Sequence, residues 1–436
     1  MRLRWTIAGL LMASSMSPGQ AGGGKAPARL AASWTLLSVA VTGSQRFTPQ
    51  EISAASGLQV GQMVSEEDFK KAAERLGETG MFGEASYSFQ FSAAGAKLQL
   101  QVSDQPQLVP ARFDNLVWFS DQDLIAKLRE RVPLFRGLLP LGGALTDQVS
   151  EALQALLIER GVQGQADYIR EAPVNQPIKD IVFSVKAHDI HIHGISFSGA
   201  SPSELPSLEA SARTLQGMDY SRSMVLVNER LTFLPIYLQK GYLKASFGTP
   251  EPRILQDGGQ ETTVDVSVPV VPGEQYKLTG IEWSGNTSFT AEQLASLIQL
   301  QTGHPANAIL LGEDLRQVKK LYGTQGRMAA GFEVIPEMDD ARSEVRYEIK
   351  VHEGDVYHMG ELEIRGLDSR LTSLMNVRWK LHEGDVYDSS YIQSFLRETA
   401  RELPQDVRWK TTIHETPDDT SKTVDVSISY ENNAGQ

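Results

Sequence analysis

Five segments of this chain alternate apolar and polar residues with period two, which predicts strands with one buried face and one wet face. They are centred on Leu98, Leu100 and Val102; Ile181, Phe183 and Val185; Val264, Val266 and Val268; Val345, Tyr347, Ile349 and Val351; and Val424, Val426 and Ile428. Ahead of four of them lie runs with apolar residues at helical spacing: Phe69, Ala72, Ala73 and Leu76; Val149, Leu153, Leu156 and Leu157; Leu315, Val318, Leu321 and Tyr322; and Ile392, Phe395, Leu396 and Leu403. Each predicts a one-faced helix that needs a sheet to cover. Between helix and closing strand sits a second extended segment, such as Ala85 to Phe91, joined to the closing strand by a turn-rich stretch, the pattern of a hairpin.

The start of each repeat carries a corner. Gly43, Phe47 and Ile52 stand at fixed offsets, matched by Asn115, Phe119 and Leu124 and by Gly285, Phe289 and Leu294. Gly, or less readily Asn, accepts the positive φ that a sharp strand-to-helix turn demands. Thr48 with Glu51 and Thr290 with Gln293 then spell capping boxes, and Ser120 with Asp123 is close to one. Two further copies keep Gly199 and Gly366 but replace the phenylalanine by Ser203 and Arg370, and Pro235 predicts a kink or early stop in the second helix of the third copy. The predicted fold class is α+β: a tandem array of five βααββ modules, each a three-stranded mixed sheet with two helices on one face. Expected boundaries are 33–105, 106–188, 189–273, 274–355 and 356–436.

Length and charge sharpen this picture. At 436 residues the chain exceeds what one core usually organises, and 41 Lys+Arg against 54 Asp+Glu give a net charge of -13, without the basic footprint of a nucleic-acid binder. There is no cysteine, so disulfides, thiol catalysis and Cys-based zinc sites are excluded. Arg2 and Arg4, the apolar run from Ile7 to Met12, and the small residues that lead to Ala21 form a secretory signal layout, so residues 1–21 are expected to be a signal peptide and 22–32 a linker.

The modules resemble the polypeptide-transport-associated, or POTRA, domain. The residues that carry the resemblance are Val41-Thr-Gly-Ser-Gln-Arg-Phe47-Thr, Glu78-Thr-Gly-Met-Phe82 and Trp283-Ser-Gly-Asn-Thr-Ser-Phe289-Thr. This resemblance implies a periplasmic arm associated with the outer membrane, which holds partners by adding a strand to an exposed sheet edge. The implied partners are an outer-membrane β-barrel protein or an unfolded client polypeptide, with no nucleic acid and no small-molecule substrate. After the last closing strand only Glu431 to Gln436 remain, without the many alternating segments of a membrane barrel, so a separate barrel subunit is one expectation. A structural or division-type envelope protein, anchored by a retained N-terminal segment, is the alternative.

Enzyme chemistry finds no support in the motifs. No Gly-x-Ser-x-Gly elbow, His-Glu-x-x-His helix or phosphate-cradling glycine loop occurs, and no catalytic residue, metal ligand or cofactor is assigned. His188, His191 and His193 cluster, but two ligands on one strand face fall short of a metal site. The repeated hexapeptides His352–Tyr357 and His382–Tyr387 read as shared turn chemistry. Candidate binding residues therefore lie on the predicted edge strands Ala85 to Phe91, Asp167 to Arg170, Lys244 to Thr249, Gly331 to Pro336 and Val407 to Ile413. They are Tyr87, Phe89, Phe91, Phe332, Val334 and Trp409.

Overall fold

The computed structural model describes residues 33–405 and 407–432; the expected signal peptide and linker lie outside them. The chain divides into two compact units. One comprises residues up to Ser196 with Ala212–Val227 and Pro250–Val268; the other comprises Phe197–Ser211, Asn228–Thr249 and the chain from Pro269 onward.

Five sheets occur among the described residues, each with the closing strand in the middle. In the first, Gly95–Asp104 pairs in parallel with Trp34–Thr42 and antiparallel with Phe82–Ser92. The second repeats this arrangement with Asp180–Lys186 between Leu108–Phe113 and Gln165–Glu171. Glu344–His352 lies between Lys277–Ser284 and Gly331–Asp339 in the fourth, and Thr423–Asn432 between His358–Arg365 and Trp409–Asp418 in the fifth. The third sheet centres on Glu261–Val271.

Two expectations need correction. Three of the sheets have four strands: in the first two, Met63–Val64 and Leu138–Pro140, from the stretch between the helices, pair antiparallel with the first strand, and the third holds Asp189–Ser198, Ser246–Phe247, Glu251–Gly258 and Glu261–Val271. The fourth and fifth keep a single bridge at the same place, Lys277 to Pro305 and His358 to Val386. A strand of two or three residues has no periodicity to read, so nothing in the pattern announced it. In the third sheet the segment Lys244 to Thr249 supplies only the pair Ser246–Phe247, and the main edge strand is Glu251–Gly258.

The corners at Gly43 and Gly285 are built as their residues dictate, whereas Asn115 does not take a positive φ and instead binds the Val185 backbone through its side-chain amide. Thr48 and Thr290 form complete capping boxes with Glu51 and Gln293, and the Ser120 hydroxyl accepts the Asp123 N–H. Gly43 sits at φ +100°, and a Cβ there would lie 2.0 Å from the Val102 carbonyl oxygen. A carboxylate at the end of the closing strand clamps the loop beyond the glycine. Asp104 accepts from the Gln45 N–H at 2.8 Å and the Ser44 hydroxyl at 2.7 Å. Glu353 accepts from the N–H groups of Thr287 and Ser288 at 2.6 and 2.7 Å and from both hydroxyls. The two hexapeptides pair with each other: Tyr387 N–H donates to the Tyr357 carbonyl at 2.9 Å, and Gly384 N–H to Met359 at 2.8 Å. Shared turn chemistry thus serves as a cross-connection.

Pro235 does not end the helical run. It falls in the short helix Leu234–Leu238, directly after a π-helical turn over Glu229–Phe233. A proline lacks the N–H that would bond four residues back, and the wider turn accommodates the loss.

Within the first unit, the segments around Glu51 and Arg136 are held together by charge and aromatic contact. Arg136 and Arg129 donate to Glu51 at 2.6 and 2.5 Å, and the Arg136 guanidinium lies 5.3 Å from the Phe47 ring centre. Burial would raise the Glu51 pKa, but the Arg136 guanidinium first, then the Thr48 N–H and Arg129, bring it down to about 2. Replacing Arg136 by lysine removes the bidentate fork and the flat stacking surface. The expected result is a weaker junction between residues 33–105 and 106–188, read as faster proteolysis between them while helix content by circular dichroism stays unchanged.

Candidate binding edges

Which backbone groups an edge offers follows from which way the central strand points its own. In the second sheet the Phe183 carbonyl accepts the Asp114 N–H at 2.9 Å, and Asn115 brackets both the N–H and the carbonyl of Val185. These buried, helix-facing residues therefore aim their peptide groups toward the first strand. Their cross-strand partners on the other side, Tyr168 opposite Phe183 and Ala166 opposite Val185, form non-hydrogen-bonded pairs and aim their own N–H and C=O groups outward. Chirality fixes the relation between side-chain face and N–H direction, so it holds for every sheet with this strand order.

All six predicted residues fall in this outward class. Tyr87, Phe89 and Phe91 pair with Leu100, Leu98 and Ala96; Phe332 and Val334 pair with Val351 and Ile349. Trp409 shares the alternation of Thr411, which pairs with Tyr430. The aromatic side chains meanwhile pack against core or neighbouring rings. Phe89 lies 5.4 Å from buried Phe69, Phe91 stacks on Trp34 at 3.6 Å, Phe332 reaches Tyr322 at 6.2 Å, and Trp409 meets Tyr430 at 6.4 Å. On these three edges half-buried Phe89, Phe332 and Trp409 and exposed Phe91 therefore flank the outer backbone. Beside Trp409 the rim opens into a groove of about 280 Å³ lined by Leu396, Leu403, Pro404, Val407 and Tyr430.

Sequence reasoning missed what separates these edges. Pro252, Pro336 and Pro417 lie in three of them, opposite Val266, Tyr347 and Val424, all in the outward class. A proline there removes an outward donor without breaking the internal ladder, a common way to guard an edge. Phe82–Ser92 and Gln165–Glu171 contain no proline. Of the two, Phe82–Ser92 is the longer, and it offers the N–H groups of Ala85, Tyr87, Phe89 and Phe91 in an unbroken row. The signal was present in the sequence as prolines inside alternating segments.

The histidines do not converge. His193 pairs with Asp265 at 2.8 Å, His188 turns inward to the Gln163 carbonyl and Thr262, and no grouping of three or more metal-ligating side chains occurs among the described residues.

Residues 276–354, the stretch that holds the fourth sheet and its helices, match the POTRA family model, described as a surface antigen variable number repeat. A relative from Treponema pallidum (strain Nichols), named as an outer membrane protein assembly factor, is 24% identical over 131 residues. That match covers 30% of this chain and 16% of the relative, so the chain aligns with about a sixth of that protein's length. Among solved structures, POTRA domains 3–5 of Haemophilus influenzae BamA match with a TM-score of 0.44 at 18% identity, over 56% of this chain and 97% of that one. POTRA domains 1–3 of Omp85 from Anabaena match with a TM-score of 0.18 at 12% identity, over 74% and 96%.

Proposed function

We propose that the chain is a non-enzymatic periplasmic scaffold of five βααββ modules, at 33–105, 106–188, 189–273, 274–355 and 356–436, for outer-membrane protein assembly or polypeptide transport. It binds an extended segment of a client polypeptide or of an outer-membrane β-barrel partner as an added strand, chiefly along Phe82–Ser92. The observation that carries this reading is the proline-free row of outward N–H groups on that strand, flanked by the half-buried rings of Tyr87 and Phe89 and the exposed ring of Phe91. Main-chain hydrogen bonds supply affinity with little sequence stringency, which suits a client delivered unfolded. The name of the Treponema relative and the POTRA match support the same reading.

The test compares two substitutions at one position. Phe89→Ala and Phe89→Pro both remove the ring, but only proline also removes the outward N–H. Binding is measured to a labelled peptide of about ten alternating apolar and polar residues, the pattern of a barrel strand. Proline is expected to weaken binding roughly tenfold beyond alanine, the loss of one backbone hydrogen bond to the added strand. Equal affinities for the two variants would remove the case for strand addition at this edge.

A further inference from the structure

The second helices of the first, second and fourth repeats run unbroken over 13, 16 and 16 residues, whereas that of the third changes its winding midway. It passes from Arg222–Asn228 into the π-helical turn Glu229–Phe233 and then into Leu234–Leu238. The Leu234 N–H reaches back five residues to the Glu229 carbonyl, and Pro235 after it has no N–H to continue the ladder. The segment is therefore held less by its own backbone than by what it buries.

What it buries includes a carboxyl group. Val225, Glu229, Phe233 and Tyr237 recur every four residues and are all buried, so a glutamate occupies a position in an otherwise apolar and aromatic stripe. Glu229 is 6% exposed, and its Oε1 is buried without a hydrogen-bond partner. The rest of the segment packs on rings: Phe233 meets Phe197 edge-on at 5.0 Å and Phe247 at 6.3 Å, and Tyr237 lies 6.0 Å from Phe247 and 5.8 Å from Tyr242. A neutral carboxyl is tolerable in such a place, but an unpaired carboxylate is among the costliest groups to bury.

The charged groups of the third repeat do not relieve it. Glu204 pairs with Lys240 at 2.9 Å, Lys244 with Asp340 at 2.6 Å, Arg222 with Asp121 at 2.6 Å and His193 with Asp265 at 2.8 Å, while His191 lies 3.1 Å from Asp219 and 3.9 Å from Glu261. Asp189, Glu209, Arg213, Arg230, Glu251, Arg253 and Asp257 are exposed. Burial alone acts on the Glu229 carboxyl and pushes its pKa up to about 7.

We infer that Glu229 is a proton-dependent catch: its protonated carboxyl lets Glu229–Leu238 lie closed on the core, and its ionisation opens the segment and uncovers Phe233 and Tyr237. An acid whose value is higher in the closed segment than in the open one favours closure fully below the ordinary glutamate value of 4.5. That contribution is lost as pH rises from there toward about 7, so the segment loosens on the alkaline side.

Hydrogen exchange of the full chain, read by mass spectrometry with each peptide's rate divided by its intrinsic rate at that pH, measures the opening directly. Between about pH 5.5 and about pH 8.5 the opening of peptides within 229–238 is expected to rise roughly 30-fold, while the helix Ala308–Gly323 keeps its protection. Glu229→Gln keeps the shape of the protonated side chain and cannot ionise, and Glu229→Leu removes the polar group as well. Both variants, checked for folding by far-ultraviolet circular dichroism, are expected to exchange at a rate that does not respond to pH in this segment. Opening that is flat with pH in the wild type, a rise shared equally by Ala308–Gly323, or a response that survives in both variants overturns the inference.

Discussion

Glu353→Gln is expected to destabilise residues 274–355 by roughly 3 kcal/mol at neutral pH, with the loss confined to that region. Glu353 is 9% exposed and accepts from two backbone N–H groups and two hydroxyls, with the Arg327 guanidinium at 3.4 Å. Burial alone would raise its pKa; the Ser288 N–H, the Thr287 and Ser288 hydroxyls and the Thr287 N–H together bring it down to about 2. An amide supplies one acceptor oxygen where the carboxylate supplies two, so it leaves buried donors of the corner unpaired. The sign of the pH effect follows from the depressed value. The contribution is fully present above the ordinary glutamate value of 4.5 and is lost as pH falls from there toward about 2. Acid unfolding of this region, followed through the Trp283 fluorescence of an otherwise tryptophan-free variant, should show that loss in the wild-type clamp and not in the glutamine variant. A wild-type profile as flat as the variant's would show that the clamp contributes nothing.

The second large effect is expected at the corner itself. Gly43→Val places a branched side chain at φ +100°, with its Cβ 2.0 Å from the Val102 carbonyl oxygen on the central strand. The backbone of that strand cannot retreat without breaking its pairing with Val41 and Thr42, so strain and lost ladder add together. The expected cost is more than about 4 kcal/mol, among the largest single-substitution effects. It should appear in urea denaturation as early unfolding of residues 33–105 while residues 274–355 keep their own transition. Unfolding of the whole chain at one midpoint would instead mean that the repeats do not fold as separate units.

Much of this was legible in the sequence because local rules and tertiary placement agree. The capping boxes at Thr48 and Thr290, the alternation around Leu98 and Val345, and the glycines at 43 and 285 each have one low-energy structural reading, and the fold uses it. Tyr87, Phe89, Phe91, Phe332, Val334 and Trp409 lie on strands with a neighbour on one side only. The third repeat was misread at its middle strand because Pro252 stands at the start of Glu251–Gly258, and a proline ordinarily demotes a strand. Its position opposite Val266, with the missing N–H on the outer side, makes it tolerable there. Glu353 was hidden for a different reason. Its hexapeptide is repeated at His382–Tyr387, yet Glu383 in the second copy is exposed, so identical letters serve two purposes that only tertiary contacts separate. The hydrogen bond between His188 and Thr262 joins residues 74 positions apart, beyond the reach of any local pattern.

Amide exchange along the strand Phe82–Ser92, read residue by residue by NMR in the full chain, tests the central claim most directly. The N–H groups of Tyr87, Phe89 and Phe91 are predicted to exchange fast and those of Ser86, Ser88 and Gln90 slowly, and the fast set is predicted to become protected when an extended peptide is added. Uniform protection along the free strand, or peptide-induced protection that falls on the helices and leaves these three amides unchanged, would contradict it.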